Sequence, residues 1–501
     1  MRENYTAVID FVRRFVASSR FFVGTMVVFC LHTLWIIFSS NLLPYDEYYH
    51  LGIIKIYATQ WSPVLQSQPA EASLYGDITR LPSYLYHYLM SFPYRFFELF
   101  TQDQTTIYIL LRLLNLAMVV GGIILFKKLF LKAGISRAVT NLTAAVFALT
   151  PIVVILSAQS NYDNLMFLLT PVFLLIAYKL VTKPPTLKDG LNLLSIGMIA
   201  SLVKNSFLVI FGVVGLYVLI HIVVKYHKTI PKILRGSVAS AKWLSILAVV
   251  FFVLSSGLFV ERYGVNEIKY HKIVVECDQV QPIEVCEKYT VWRRNQNALK
   301  LRPYTPLPYG GAVSFTKHWV KTVSRGYFAV YANIIPDQPV GEDPYGAYEF
   351  KPLLKVPVRA GVIMLGFGLA AVILQLPALW RKNKLNQITL LSGPALIVAL
   401  WLFNYTFYIE YGKAYAIQSR YILPLLLPMI AVIAQAFVLV TKKTRLQWAQ
   451  AVLLIAVTLY LLSGGAMGWI IRSRPTWYWH SDTVLQANTA AKEILNPIIW
   501  H

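Results

Sequence analysis

PYDEYYH (residues 44–50) follows directly on the first long apolar run of the chain, Phe21 to Leu43. A run of about 20 apolar residues can cross the hydrocarbon core of a membrane, so this stretch is expected at a membrane face. Packing does not require the adjacent carboxylates Asp46 and Glu47 there, because like charges repel each other. One interpretation is a polar helix-capping loop, since aspartate is a good N-cap. The other is an acid/base or metal-binding pair that serves a reaction at the membrane surface.

The composition indicates a protein embedded in a membrane. Of its 501 residues, 57% are hydrophobic and 14% are charged, with a mean hydropathy of +0.55. These values exclude a soluble globular protein. The 46 Lys and Arg against 23 Asp and Glu give a formal net charge of +23, which in a soluble protein would suggest nucleic acid. Here many basic residues cluster in short segments between apolar runs, as the positive-inside bias requires, so no nucleic-acid partner is expected.

Apolar runs alternate with short basic connections, and this alternation predicts an all-α polytopic protein with about eleven transmembrane helices. The short basic connections all fall on one side together with the basic N-terminus, so that side is expected to be cytoplasmic. We expect a multi-pass protein of the cell membrane whose first acidic stretch is extracytoplasmic. The predicted spans are residues 21–43, 106–126, 139–158, 165–180, two short spans within 191–224, and then 243–260, 358–380, 388–408, 421–440 and 449–471.

Two long connections interrupt this alternation. The first is rich in aromatic and amphipathic segments, which favour helices lying along the outer leaflet. The second is polar and should form a small extracytoplasmic subdomain; its Cys277 and Cys286 lie close together, so a disulfide is expected in an oxidising compartment, with free thiols as the alternative. The predicted parts are an N-terminal transmembrane module (1–260) with its first outer loop (44–104), the subdomain (261–354), C-terminal transmembrane helices (355–471) and an extracytoplasmic tail (472–501).

The outer side carries a set of polar and charged residues within or beside spans. Lone charges there are costly, so they are functional candidates by default. Arg112 is either a snorkelling arginine or a buried functional one, Asp163 is alternatively the N-cap of the span that follows, and Lys204 is alternatively a plain turn residue. The candidates are Asp46, Glu47, His50, Arg80, Arg112, Asp163, Lys204, Tyr415, Gln418, Arg420 and Tyr421.

Arg420 opens a predicted span on the outer side, against the positive-inside bias. An anion is therefore expected to compensate its charge. This anion is either a carboxylate such as Asp46 or a phosphate, which a guanidinium can bind with two N–H groups. Carboxylates together with cations at one membrane face suggest chemistry on a phosphorylated lipid, in which a carboxylate takes a proton from an attacking hydroxyl.

With these features the chain resembles the GT-C type glycosyltransferases, multispanning membrane enzymes that use polyprenyl-phosphate sugars. The shared features are an acidic motif in the first outer loop, interfacial helices behind it, and many spans with extracytoplasmic loops. It is more closely similar to a little-characterised group of bacterial membrane proteins related to that class, although Ser419 stands where that group more often has glycine. The matching positions are Pro44, Asp46, Glu47, His50, Leu81, Pro82, Tyr84, Tyr162, Asp163, Leu165, Gln418, Arg420, Tyr421 and Pro424.

The resemblance implies roles for the outer-facing residues. Asp46 would be the catalytic base or a metal ligand, with Glu47 supporting it or helping to hold Mg²⁺ or Mn²⁺. Arg420 would grip the lipid phosphate, with Lys204 and Arg112 as further candidates for the same charge. Hydroxyls of sugar or acceptor would be positioned by Asp163 and His50. The expected substrate-binding residues are His50, Arg80, Arg112, Asp163, Lys204, Tyr415, Gln418, Arg420 and Tyr421.

The expected activity is transfer of a hexose or pentose from a polyprenyl-phosphate donor to an extracytoplasmic glycan, lipid or protein acceptor. The sequence shows no recognisable motif for a nucleotide sugar, which supports a lipid-phosphate donor. Two other classes remain open. A transporter or flippase for a lipid-linked or anionic solute also needs charges inside a helical bundle. Against it, the charges collect at one face, and the sequence shows no paired repeat of broken helices, which binding at the membrane midplane would favour. A non-catalytic scaffold for envelope polysaccharide assembly would leave Asp46, Glu47 and Arg420 unexplained.

Overall fold

The computed structural model of the chain describes residues 11–41, 43, 46–228, 243–328, 355–443, 469–470 and 475–495. Within these ranges the protein is all-helical, with one isolated β-bridge and no strand. The all-α fold expected from the sequence is therefore confirmed for the described part of the chain.

The first ten helices carry most of the candidate site. The two helices of the first outer loop, α2 and α3, are shorter than the helices that precede and follow them. They are α1 (Ser19–Ser39), α2 (Glu47–Ala58), α3 (Leu85–Glu98), α4 (Gln104–Lys132), α5 (Arg137–Leu149), α6 (Pro151–Ser157), α7 (Tyr162–Thr182), α8 (Leu187–Val203), α9 (Phe207–Tyr226) and α10 (Trp243–Phe259).

The second half of the chain adds short helices outside the bundle and three long ones within it. A 3₁₀ turn, Ser419–Ile422, leads directly into the last long helix. The helices are α11 (Val265–Tyr270), α12 (Ile283–Cys286), α13 (Thr290–Leu301), α14 (Ala312–Phe328), α15 (Lys355–Leu374), α16 (Leu376–Lys382), α17 (Lys384–Tyr411), α18 (Leu423–Lys443) and α19 (Asp482–Leu495).

In the described ranges, seven helices are long and apolar enough to cross a membrane, or up to nine if each of two bent pairs is one span. This supports a helical multi-pass membrane protein, with fewer candidate spans than the eleven expected. One reason is α8, whose 17 residues extend only about 26 Å at 1.5 Å per residue, short of the roughly 30 Å hydrocarbon core. The predicted span 449–471 lies almost entirely outside the described residues.

Two predicted spans, 139–158 and 358–380, are each broken into two helices in the structure. The first breaks between α5 and α6, which meet at 68°, and the second between α15 and α16, which meet at 73°. At the first break Thr150 is extended, because the proline that follows it disfavours the helical conformation. At the second, Gln375 leaves the helical region and a proline lies in the first turn of α16.

Helices α4 and α7 form the tightest part of the bundle core. At Gly122 an added Cβ would collide with the Phe167 ring, so the absence of a side chain lets the two helices approach closely. Phe167 also stacks on Phe147 of α5 at 4.8 Å between ring centroids. This three-helix contact packs the first turns of α7 against α4 and α5, directly after the buried polar loop 158–161.

The two helices of the first outer loop are tied together by one arginine. Arg95 of α3 donates hydrogen bonds to the carbonyl oxygens of Tyr57 and Ala58, each at 2.7 Å, and to that of Gln60. These carbonyls belong to the last turn of α2 and the residues after it, where backbone acceptors lack helical partners. The contact fixes α2, and with it the acidic stretch at its first turn. The structure thus has helices in this loop, and their position relative to a lipid leaflet stays a prediction.

The described part of the predicted subdomain, residues 261–328, contains α11 to α14 and three short turns. The structure joins Cys277 and Cys286 by a disulfide bond, which links the 3₁₀ turn Cys277–Gln279 to the last residue of α12. The remainder of this segment, 329–354, lies outside the described residues.

The predicted tail is described over residues 475–495, and it pairs with the end of α1. The Asn41 N–H donates to the Trp477 carbonyl oxygen at 2.7 Å, and the Trp479 N–H donates to the Ser39 carbonyl oxygen at 3.1 Å. These antiparallel contacts place the described part of the tail beside the end of α1, next to the acidic stretch.

Candidate functional site

Asp46 precedes α2 in a left-handed backbone conformation, with φ 68° and ψ 22°. Asp46 occupies the N-cap position of α2, but its side chain makes no capping hydrogen bond to the helix. Instead, its Oδ2 accepts a hydrogen bond from Arg420 Nη2 at 2.5 Å. The carboxylate is 39% exposed, which leaves it accessible from outside the bundle.

Arg420 lies in the 3₁₀ turn that leads into α18, and its side chain is only 2% exposed. A buried guanidinium is strongly unfavourable unless a counterion compensates it, and Asp46 supplies that charge. The ion-pair alternative for Arg420 is thus the arrangement present in the structure. Because Asp46 approaches from the more open side, another anion of similar shape has a route to the same guanidinium.

A second ion pair lies next to the first. Lys204, the residue that ends α8, places its Nζ 2.5 Å from Asp163 Oδ1, and both side chains are buried. Burial lowers the pKa of Lys204 to about 8, and the Asp163 carboxylate opposes this shift. Lys204 is therefore more than a turn residue. Asp163 is not the N-cap of α7 either, since its own backbone N–H donates to the capping side chain of Asn161.

Tyr421 connects the two ion pairs. Its ring centroid is 4.5 Å from Lys204 Nζ and 5.5 Å from Arg420 Cζ, so one aromatic ring contacts both cations. The Tyr162 ring also contacts the ammonium, with its centroid 4.6 Å from Nζ. Cations over aromatic rings are stabilised by the ring quadrupole. The arrangement holds two positive groups close together in a region shielded from water.

Glu47 has a different environment from its neighbour Asp46. Its two oxygens accept hydrogen bonds from Arg112 Nε at 2.8 Å and Nη2 at 2.6 Å, and Oε1 also accepts the Ser160 N–H at 2.8 Å. Arg112 is 1% exposed and donates further to the Ser40 carbonyl oxygen at 2.5 Å. Arg112 is therefore buried and does not snorkel. Because both Glu47 oxygens are occupied, we assign this residue to the support of the site.

The acidic pair does not fit a divalent cation in this arrangement. Asp46 and Glu47 each face a different arginine, and a guanidinium beside each carboxylate opposes a second positive charge. Mg²⁺ requires near-octahedral oxygen coordination, whereas the described residues contain no group of three or more His, Cys, Asp or Glu placed to hold a metal ion. We therefore derive no step through a metal ion.

His50 forms a pair with His87 from α3, with 2.9 Å between Nδ1 and Nε2. Burial lowers the pKa of both imidazoles, to about 3 for His87, and the nearby Arg420 and Lys204 charges further lower the pKa of His50. Both rings are therefore neutral at physiological pH. The His50 ring packs edge-on against Tyr162 at 4.5 Å between centroids, so it borders the second ion pair as a neutral hydrogen-bonding group.

The polar stretch from Gln159 to Asn164 spans the loop after α6 and the first turn of α7, and it is fully buried except at Tyr162. Both Gln159 amide atoms, Asp163 Oδ2 and Asn164 Oδ1 have no hydrogen-bond partner among the described residues. Buried polar atoms in native proteins are nearly always hydrogen-bonded, to protein or to water. The stretch is therefore equipped to bind hydroxyl groups beside Lys204. A polar run between two apolar runs was the sequence signal that pointed here, although Gln159 itself was missed.

Three predicted substrate-binding residues have other surroundings. Arg80 donates to Glu261 Oε1 at 2.5 Å, a partner that the sequence analysis missed, and this pair links the first outer loop to the end of α10. The Tyr415 ring lies 4.2 Å from the Arg294 guanidinium. Gln418 is the residue before the 3₁₀ turn and has a buried Oε1. Of these three, only Gln418 adjoins the Asp46–Arg420 pair along the chain.

The described residues thus define a helical, multi-pass membrane protein with a charge-paired polar site where the ends of α2, α7, α8 and α18 meet. A scan against protein-family models finds no matching family for this chain, and a search of curated proteins finds no relative. The arrangement of the site therefore carries the functional argument.

Proposed function

We propose that this protein is a GT-C type membrane glycosyltransferase, which moves a sugar from a polyprenyl-phosphate donor to an extracytoplasmic glycan, lipid or protein acceptor. The observation that carries the proposal is the Asp46–Arg420 pair, in which a partly exposed carboxylate meets a buried guanidinium. A base for the acceptor hydroxyl and a cation for the departing phosphate are the two groups that this transfer requires. In the structure these two groups contact each other.

Binding of the donor would separate this pair. A phosphate oxygen accepts the same charge-assisted hydrogen bonds as a carboxylate, so the donor phosphate would replace Asp46 at Arg420. Lys204 would provide the second cation, since its ammonium shares the Tyr421 ring with the guanidinium. The same event frees the Asp46 carboxylate to accept a proton, which couples donor binding to the availability of the base.

The transfer itself replaces one bond to the anomeric carbon by another and moves one proton. The acceptor oxygen attacks the anomeric carbon while Asp46 takes its proton, and the bond between that carbon and the phosphate oxygen breaks. The phosphate keeps the bonding electrons and leaves as polyprenyl phosphate, whose growing negative charge Arg420 and Lys204 stabilise. Glu47 and Arg112 hold α2 and the loop 158–161 in place, and Gln159 offers hydrogen bonds to sugar hydroxyls.

A transporter or flippase for a lipid-linked or anionic solute is the second candidate. It is favoured by the two bent helix pairs, α5–α6 and α15–α16, because discontinuous helices form the substrate sites of many transporters. The site described above adjoins α6 through residues 158–161. The two functions make different demands on Asp46, since only a transferase needs it as a base.

The test uses purified protein in lipid with a panel of radiolabelled polyprenyl-phosphate hexoses and pentoses. Asp46→Asn should reduce sugar transfer by about 10²- to 10⁴-fold, the contribution of a positioned base. Asp278→Asn is the matched control, because Asp278 is an exposed aspartate in the predicted extracytoplasmic segment, and it should keep wild-type activity. Arg420→Ala should weaken donor binding as well as turnover.

Full transfer by Asp46→Asn would overturn the assignment of the base. If the wild type turns over no donor but moves a labelled polyprenyl-phosphate sugar between leaflets, the transporter becomes the better description. Circular dichroism of each variant separates loss of activity from loss of fold.

A further inference from the structure

Helix α14 (Ala312–Phe328) has two unlike faces. One face buries Phe315, Trp319 and Val323 at successive spacings of four, which places them on one side of a helix. The Trp319 Nε1–H donates to Asn404 Oδ1 of α17 at 2.9 Å. This face is therefore fixed against the bundle, and the position of the opposite face is determined by that packing.

The opposite face of α14 is basic. Lys317, Lys321 and Arg325 also follow one another at a spacing of four, and together they face an open groove of about 470 Å³ between α14 and α15. Like charges at this spacing destabilise a helix. The described lining contains no acidic residue and consists of Thr316, Lys317, Val320, Lys321, Ser324, Arg325 and Val362.

The other wall of the groove is helix α15, which exposes apolar side chains. Helix α15 forms part of a candidate span, and its Ile363 and Phe367 are 58% and 72% exposed. Val362, which lines the groove, is adjacent to these residues near the start of the helix. Three cations thus stand beside the beginning of an exposed apolar surface on a candidate span.

We infer that the groove between α14 and α15 binds the phosphate of an anionic membrane lipid, whose acyl chains lie along α15. Phosphate matches the cationic face by charge and the side chains of Lys317, Lys321 and Arg325 by hydrogen bonding. The exposed apolar surface of α15 favours a lipid over a free phosphate ion. The groove is open, unlike the enclosed position of Arg420, so it is a site additional to that of the proposed sugar donor.

Lipid binding here would also bear on the candidate site. Gly326 of α14 packs directly against Ser419, the residue before Arg420. A lipid that holds α14 against α15 therefore supports the 3₁₀ turn carrying the buried arginine. In this role the lipid stabilises the position of the turn and is not a substrate of the transfer reaction.

The probe is a photoactivatable phosphatidylglycerol, compared with a photoactivatable phosphatidylcholine of identical acyl chains, and both are added to the full-length protein in detergent micelles. After irradiation, digestion with a protease that does not cleave at lysine or arginine gives the same peptide map for all variants. The altered protein is K317Q/K321Q/R325Q. The matched control is K269Q/K288Q/K300Q, which removes three exposed lysines from the same predicted outer segment.

We expect phosphatidylglycerol to label peptides of α14 or α15 at least about tenfold more than phosphatidylcholine, since each basic residue contributes roughly 1 kcal/mol toward an anionic surface. The labelling should be lost in the altered protein and retained in the control. Equal labelling by the two lipids, or unchanged labelling of the altered protein, would overturn the inference.

Two further outcomes test whether a lipid is the molecule that occupies the groove. Displacement of the lipid by millimolar inorganic phosphate would show that the groove takes a free anion, and would overturn the assignment to a lipid. Carbodiimide coupling of Lys317 or Lys321 to an acidic residue of the segment 329–354 would show that the chain itself supplies the anion, and would overturn it too. The labelling does not depend on sugar transfer, so failure of the proposed function leaves this test intact.

Discussion

At the scale of single residues, Asp46 and Glu47 are adjacent in sequence and have unlike environments. The backbone of Asp46 has a positive φ, a region that aspartate and asparagine adopt more readily than most residues. Asp46→Asn therefore removes the charge while keeping the backbone, whereas Asp46→Ala also loses the side chain best suited to that conformation. The asparagine variant is for this reason the cleaner probe of a base.

Glu47→Gln should act on stability. The change leaves Arg112 buried without its counterion, and breaking a buried ion pair by removing one partner typically costs about 3–5 kcal/mol. We expect a clear fall in the thermal unfolding midpoint of the purified protein. Glu71→Gln in the same loop is the control, since Glu71 is exposed and surface changes usually stay within about 0.5 kcal/mol. Equal midpoints for the two variants would contradict the supporting role of Glu47.

The sequence allowed some of these residue roles to be predicted, but few of the partners. Arg420 works against the positive-inside bias, so an anionic partner was expected, and Asp46 was one of the two options. No such bias points from Lys204 to Asp163, because their meeting depends on how α7 and α8 pack. The partnership of Glu47 with Arg112 is equally invisible in one sequence. Arg80 and Tyr415 were recognisable in the sequence as polar residues on the outer side. In the structure, however, they contact Glu261 and Arg294, which lie outside the site.

At the scale of helices, the contact between α14 and the 3₁₀ turn is governed by one glycine. A Cβ added to Gly326 would lie 2.5 Å from Ser419 Oγ and 3.2 Å from Ser419 Cβ. Gly326→Ala should therefore displace the turn and reduce both activity and stability, with an overpacking cost of about 1–3 kcal/mol.

Ser419→Gly provides the matched rescue for this prediction. The double variant Gly326→Ala with Ser419→Gly should recover most of the loss, because it removes the atoms with which the new Cβ collides. The measurement is the unfolding midpoint together with donor binding. A double variant no better than Gly326→Ala would show that the clash is not the cause.

Helix positions were predictable where a long apolar run has clear polar ends. The run Phe21 to Leu43 predicted α1, which occupies Ser19–Ser39, and the run 388–408 falls within α17. The bends at Thr150 and Gln375 were missed because hydrophobicity continues across both breaks. Hydropathy alone does not show where the helix axis changes direction. Pro151 was the available signal for the first bend.

At the scale of the whole molecule, the orientation of the chain is testable by labelling. In a Cys30→Ser background, single cysteines at Glu71 and Lys300 should react with a membrane-impermeant maleimide added outside intact cells. Cysteines at Lys132 and Lys183 should react only after the membrane is opened. All four positions are exposed, so differences in reactivity report sidedness, and labelling of all four from outside would contradict the predicted topology.

The pairing between the end of α1 and the tail has a consequence for biosynthesis. Ser40 and Asn41 present their carbonyl oxygens to Arg112, while the backbone of Ser39 and Asn41 is held by Trp477 and Trp479. A ribosome therefore has to synthesise the chain as far as Trp479 before the segment beside Asp46 has all its hydrogen bonds. The helices that precede Trp477 in the sequence can be inserted while the acidic stretch is still incompletely held, so the candidate site is completed only after them.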